Sequence, residues 1–412
     1  MIETNTLLVR GAKQLVTLRG PTRPRRGVEL QQLQTISDGA LLIRNGICEE
    51  VGPSRRVENL AAARRARVIH ANGMAIIPGF VDCHAHLMSA TPHLGDTGKI
   101  ARELLSVTWK RHAARTRTLI EAMIRHGTTA AQVFTTGGHD HRVESKVLRV
   151  IQALQDLPLS LSEALLVDLG PSLSRFALAS LLEWYSKGRS APAVAFSWMP
   201  DELAREELLY QLRLASRTGM PVRLHAHGGT ADTAIRIAAE IPVAEISHLE
   251  GASAALASTL AGTGAIATLA PGFYLHDNAS PAPARTFIQA GVPVALASHY
   301  TSGTAGSLSM QTAIALAVAV LRMSPEESLT AAIFNAACAA GCAATHGSLE
   351  IGKTADLLIL NVPDYRELAH HFGTNQVHTT IRRGEIVYRE GAVSHEDGTA
   401  SEAYQTLPDV RV

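Results

Sequence analysis

Residues 76–86 read Ile-Ile-Pro-Gly-Phe-Val-Asp-Cys-His-Ala-His, an apolar run that ends in two histidines one residue apart. A short apolar run bounded by turn residues predicts a buried strand. Side chains at i and i+2 of a strand share a face, so His84 and His86 converge on one point. The pattern returns three times. Residues 220–227 end in a second His-x-His, at His225 and His227, residues 243–248 end in His248, and residues 292–299 end in His299. Stretches of helical character, such as 230–240 and 282–290, lie between them. Strand, polar tip, helix, strand is the rhythm of a parallel sheet. Polar groups gathered at the carboxyl ends of parallel strands are where a (β/α)8 TIM-type barrel keeps its active site.

The two chain ends carry a different pattern. Residues 40–46 and 47–51, and at the far end 356–360 and 379–388, are short strands around turn residues, which predicts a second, smaller unit. The expected organisation is therefore an α/β chain with a barrel over 76–349 and a composite domain from 1–75 plus 350–412. A chain of 412 residues is long enough for both.

Composition narrows the function classes. The formal charge is +1, so no basic surface for nucleic acid or membrane is expected. No apolar run reaches the ~18 residues of a membrane span and no signal-peptide pattern precedes Leu7, which predicts a soluble cytoplasmic protein. Cys48, Cys83, Cys338 and Cys342 lack disulfide-framework spacing. Alternation turns Cys83 away from His84 and His86, which predicts a core position, and Cys338 with Cys342 sits on an Ala-rich helix where packing explains both.

The stretch Pro-Gly-Phe-Val-Asp-x-His-x-His, the strand histidines His225 and His248, and the closing segment from Gly347 to Leu360 resemble the metal-dependent amidohydrolase superfamily. Residues 15–21, 283–297, 307–311 and 363–366 narrow the resemblance to its imidazolonepropionase-like branch, over about residues 7–390. The resemblance implies that both chain ends combine into one β-sandwich beside the barrel, and it implies a homodimer. It also implies a small heterocyclic substrate and a metal held by His84, His86 and His225, with His248 touching the water or the substrate oxygen. Imidazole nitrogen suits zinc, with iron or manganese as alternatives. Such an ion lowers the pKa of bound water from about 15.7 toward about 7. Superfamily members with two metals carry a bridging lysine on strand four. Residues 193–198, the expected fourth strand, contain no lysine, so one Zn2+ per chain is expected.

Two departures from the branch bear on the chemistry. Where the family ends strand eight with a metal-binding aspartate that takes a proton from water, this chain has His299. Imidazole can ligate a metal or act as a base near pH 6.5, but it brings no negative charge. Three outcomes follow: His299 as base, as further metal ligand, or as the mark of an inactive site. The substrate pocket differs as well. No arginine follows the first motif until Arg102, Thr136-Gly137-Gly138 replaces a Gly-Tyr-Gly, Asp168 falls near a family histidine, and Gly228 replaces a glutamate. His93, His139, His227 and Tyr300 are the candidate substrate contacts in this rebuilt pocket, with His141 beside them.

The expected reaction is hydrolysis at a C=O, C=N or C=S carbon of a five-membered nitrogen ring related to imidazolone or hydantoin. A first alternative is a desulfhydrase releasing sulfide from a thioxoimidazolidinone propionate-type ring, since soft sulfur suits zinc and sulfide needs little proton management. A second is a catalytically silent binding protein on the same scaffold.

Overall fold

The computed structural model describes residues 6–88, 97–135, 138, 140–171, 173–187, 193–198, 203–226, 229–277, 279–301 and 307–391. The N-terminal strands are β1 (Thr6–Val16), β2 (Thr35–Arg44), β3 (Ile47–Pro53), β4 (Arg67–His70) and β5 (Ala75–Pro78). Eight parallel strands follow: β6 (Phe80–Ala85), β7 (Thr128–Phe134), β8 (Ser160–Leu169), β9 (Val194–Trp198), β10 (Val222–His225), β11 (Glu245–Ser247), β12 (Ile266–Leu269) and β13 (Val294–Leu296). The chain ends in β14 (Leu357–Leu360), β15 (Val377–Arg382) and β16 (Glu385–Arg389).

β6 to β13 pair in sequence order, with a helix after each strand. The helix Arg175–Ser186 shows the local logic. The Ser174 hydroxyl caps it by accepting from the Ala177 N–H at 3.1 Å, and Leu178, Leu181, Leu182 and Tyr185 form its buried stripe. Along each strand, alternate residues face these helices or the barrel interior. Val222 and Leu224 pack outward among helix side chains, which turns Arg223 and His225 inward. At the floor, Ala336 and Ala337 pack with Val81, Cys83, Ala130, Ile266 and Ala295. Cys83 is thus a core residue, as its alternation suggests, and it lies in the layer below the histidines.

β6 and β13 close the ring through the residues just past β13. The His299 N–H donates to the His84 carbonyl at 3.0 Å, and the His86 N–H donates to the Tyr300 carbonyl at 2.8 Å. Closure and the histidine cluster are therefore built by the same backbone.

The chain ends form one mixed eight-stranded sheet, ordered β16-β15-β14-β5-β1-β2-β3 with β4 on β1. Leu7, Leu41 and Ile43 from the N-terminal strands share a core with Leu357, Ile359 and Ile381 from the C-terminal ones. The single strand expected over 76–86 is corrected here to two. Residues 75–78 belong to the end sheet, where Pro78 pairs with Leu357, and β6 begins at Phe80 in the barrel. Gly79 makes the crossing: its N–H reaches the Asp356 carbonyl at 3.0 Å, while the next N–H, of Phe80, reaches Gly127 at 3.0 Å. A Cβ at position 79 would lie 2.2 Å from Thr129 Oγ1 and 2.4 Å from its Cγ2. Gly79→Ala is therefore expected to destabilise the fold by about 1–3 kcal/mol. Chemical denaturation checks this, and an unchanged midpoint would contradict the tight crossing.

No helix among the described residues is long and apolar enough to cross a membrane.

Candidate metal centre

His84 comes from β6, with His86 one residue past its end, and His225 is the last residue of β10. His248 and His299 stand just past β11 and β13, each on a left-handed backbone, with φ of 59° and 50°. Positive φ is uncommon for a residue with a Cβ, histidine being among the more tolerant, and such strain persists where the surroundings over-determine it. The left-handed turns bring both rings back over the barrel axis. Their centroids lie 4.0 Å apart, and the His299 ring is 4.5 Å from that of His84.

Five imidazoles thus meet at the carboxyl end of the barrel, all buried. One ring nitrogen each from His84, His86 and His225 lies within 4.8 Å of the others, and the same holds for His84, His248 and His299. His84 belongs to both sets. The His84 and His86 Nε2 atoms are 3.1 Å apart. Two ligands at about 2.0–2.1 Å on a tetrahedral ion sit roughly 3.4 Å from each other. The pair therefore has the separation of co-ligands.

The electrostatics also suit a cation. Burial drives the His84 pKa well below its usual value, and His225, His299, His86 and His248 push it further down. A neutral imidazole is the form that binds metal. His84 Nδ1 is buried with no hydrogen-bond partner among the described residues. The Phe134 ring, 4.4 Å from His84 and 4.8 Å from His225, and the Phe273 ring, 5.1 Å from His299, supply apolar walls.

Asp82 fixes the geometry from behind. Its carboxylate is fully buried and accepts from the Ser298 hydroxyl, the Ser298 N–H at 3.1 Å and the His84 N–H at 3.3 Å. Burial pushes its pKa up to about 6, against the pull of those hydrogen bonds. One side chain thus ties the segment bearing His84 to the segment bearing His299. From the sequence alone Asp82 has no role beyond its place in the motif. The signal was a carboxylate inside an apolar run.

The remaining candidates divide. Tyr300 is half-buried and packs against the cluster of Ala85, Leu87 and Met88, while its carbonyl holds His86. His93, His139 and His227 lie outside the described residues. His141 begins the helix His141–Gln152 and stacks edge-on with Trp184 at 5.0 Å. Asp168 closes a pair with Ser197, whose hydroxyl donates to it at 2.9 Å. Ser197 is the register neighbour of both Asp168 and His225, so this pair stands beside the metal residues on the barrel wall. Lys187 is exposed and pairs with Glu183 at 2.7 Å, and β9 carries no lysine.

Comparison with known proteins finds relatives over nearly the whole chain. A family model described as the Amidohydrolase family matches residues 75–387. An imidazolonepropionase of Deinococcus radiodurans is 32% identical over 395 residues, 90% of this chain and 96% of the relative. That of Symbiobacterium thermophilum is 33% identical over 428 residues, 94% and 98%. The chain belongs to the amidohydrolase family, in its imidazolonepropionase-like branch. It is accordingly a hydrolase. Among solved structures, guanine deaminase of E. coli superposes with a TM-score of 0.69 at 19% identity, covering 93% of this chain and 99% of that one. A triazine hydrolase variant does so with 0.71 at 16%, covering 95% and 97%. At those identities the likeness speaks for the fold alone.

Proposed function

We propose that this protein is a mononuclear metal-dependent hydrolase of a five-membered nitrogen ring, attacked at a C=O, C=N or C=S carbon. The observation that carries the reading is the meeting of His84, His86 and His225 at one buried point with His248 and His299 beside it. A zinc ion held by the first three would supply Lewis acidity and an acidified water. His248 would hold the substrate oxygen or sulfur, and His299 would take a proton from the attacking water and return it to the departing ring nitrogen. Asp82 keeps both segments in register, and Phe134 and Phe273 exclude bulk water from that side. The lysine-free β9 supports one ion per chain. Likeness to imidazolonepropionases supports a ring of the imidazolone class.

A second reading is favoured by His299 itself, which leaves no carboxylate in either ligand set. An aspartate there would remove a proton that an amine leaving group needs returned. Sulfide leaves with less such help, so a thioxoimidazolidinone propionate-type ring is a fitting substrate. Assays of zinc-loaded protein on imidazolone, hydantoin and thiohydantoin propionates, reading ring opening, ammonia and sulfide, decide between them. Sulfide from the thio ring alone supports the second reading, and ring opening of the oxygen rings supports the first. Binding without turnover of any ring would instead indicate a silent binding protein.

A further inference from the structure

Below the histidines the barrel is not filled with hydrocarbon. Arg223 and Glu245 are register partners on β10 and β11, only 3% and 2% exposed. The Arg223 Nη1 donates to Gln132 Oε1 on β7, three strands away and so almost across the barrel. Arg223 lies two residues below His225, and Glu245 two below Ser247, the register neighbour of His225. At about 3.3 Å per residue this charged layer sits roughly 7 Å beneath the metal point. The Arg223 guanidinium is 6.0 Å from the centre of the Phe134 ring, which itself packs on His84 and His225. One aromatic ring separates a fixed cation from the ligand imidazoles.

Packing gives no reason for charge here, because apolar side chains of similar volume fill a barrel layer without the desolvation cost that buried charges carry. A cation so near a divalent ion also opposes metal binding through a medium that screens poorly. Glu245 offsets it. The metal residues nearest the ion are neutral imidazoles, so the balance of this pair is felt at the ion with little competition from the ligands.

We propose that Arg223 and Glu245 are positioning residues that set metal affinity from beneath the site, with opposite signs. The inference rests on the metal reading above. Its test is zinc affinity of the full-length apo protein, measured by competition with a chromophoric chelator at a fixed pH of about 8.5, where the Glu245 carboxyl is ionised. Glu245→Gln leaves Arg223 uncompensated and is expected to weaken zinc binding at least about tenfold, and Arg223→Gln to strengthen it by a similar factor. The double variant R223M/E245L is expected within about threefold of the parent. A merely structural pair would behave otherwise, with both single variants weakening the site. Equal shifts in the same direction, or none, overturn the inference while leaving the hydrolase reading intact. A parent protein that binds no divalent metal overturns both. Where a single variant fails to fold, Glu245→Asp and Arg223→Lys retain charge and are expected to bind zinc as the parent does; a tenfold loss in both would also overturn the inference.

Discussion

Replacing His225 with alanine is expected to remove bound metal and turnover together. His225 is one of three imidazoles converging on a single buried point, and it is the only one of them contributed by the opposite side of the barrel. His84 and His86 share one strand end, so without His225 an ion keeps a two-residue hold that faces a hole. Even loss of an outer-shell partner costs about 10–100-fold in affinity, so loss of a ligand should exceed about hundredfold. Turnover should fall by at least roughly thousandfold, since a metal site supplies several kcal/mol of transition-state stabilisation. Elemental analysis and a ring-hydrolysis assay on the same preparation check both. Full activity in a metal-free His225→Ala protein would dismiss metal chemistry altogether.

The second large effect is expected at His299. Its ring lies 4.0 Å from His248 and 4.5 Å from His84, yet the first ligand set is complete without it. His299→Ala is therefore expected to retain metal while kcat drops about a hundredfold or more, the usual loss when a positioned proton carrier is removed. His299→Asp is more informative. Aspartate tolerates the left-handed backbone at φ 50°, so the fold should survive. It would bring a negative charge, and a carboxylate that stays unprotonated at neutral pH, to the attacking water, and we expect it to raise ring opening of oxygen rings relative to sulfide release. Metal loss in His299→Ala would make His299 a ligand instead, and unchanged kcat would make it a bystander.

Much of this site was legible because strand alternation is a strict rule. His84, His86, His225, His248 and His299 each fell at the end of an apolar run, and five such positions on parallel strands can only gather at one mouth. The end sheet was legible in outline from its turn-bounded strands. Three features were not. The break at Gly79 depends on Thr129, a residue of another strand, which leaves no space for a Cβ; the Pro78-Gly79 pair marks a turn locally but not a crossing between two sheets. The left-handed turns at His248 and His299 leave no mark in the sequence, since histidine carries no strong turn signal. The layer of Arg223, Glu245 and Gln132 required knowing which strands face one another across the barrel. Its only local mark was a charge within an otherwise apolar strand, a pattern that a solvent-facing edge would share.

The most direct test of the central claim is a crystal structure of the zinc-loaded protein, paired with metal stoichiometry in solution. One ion per chain is expected, with ring nitrogens of His84, His86 and His225 at about 2.0–2.1 Å from it. Two ions per chain, or an ion bound elsewhere with those three rings turned apart, would contradict it.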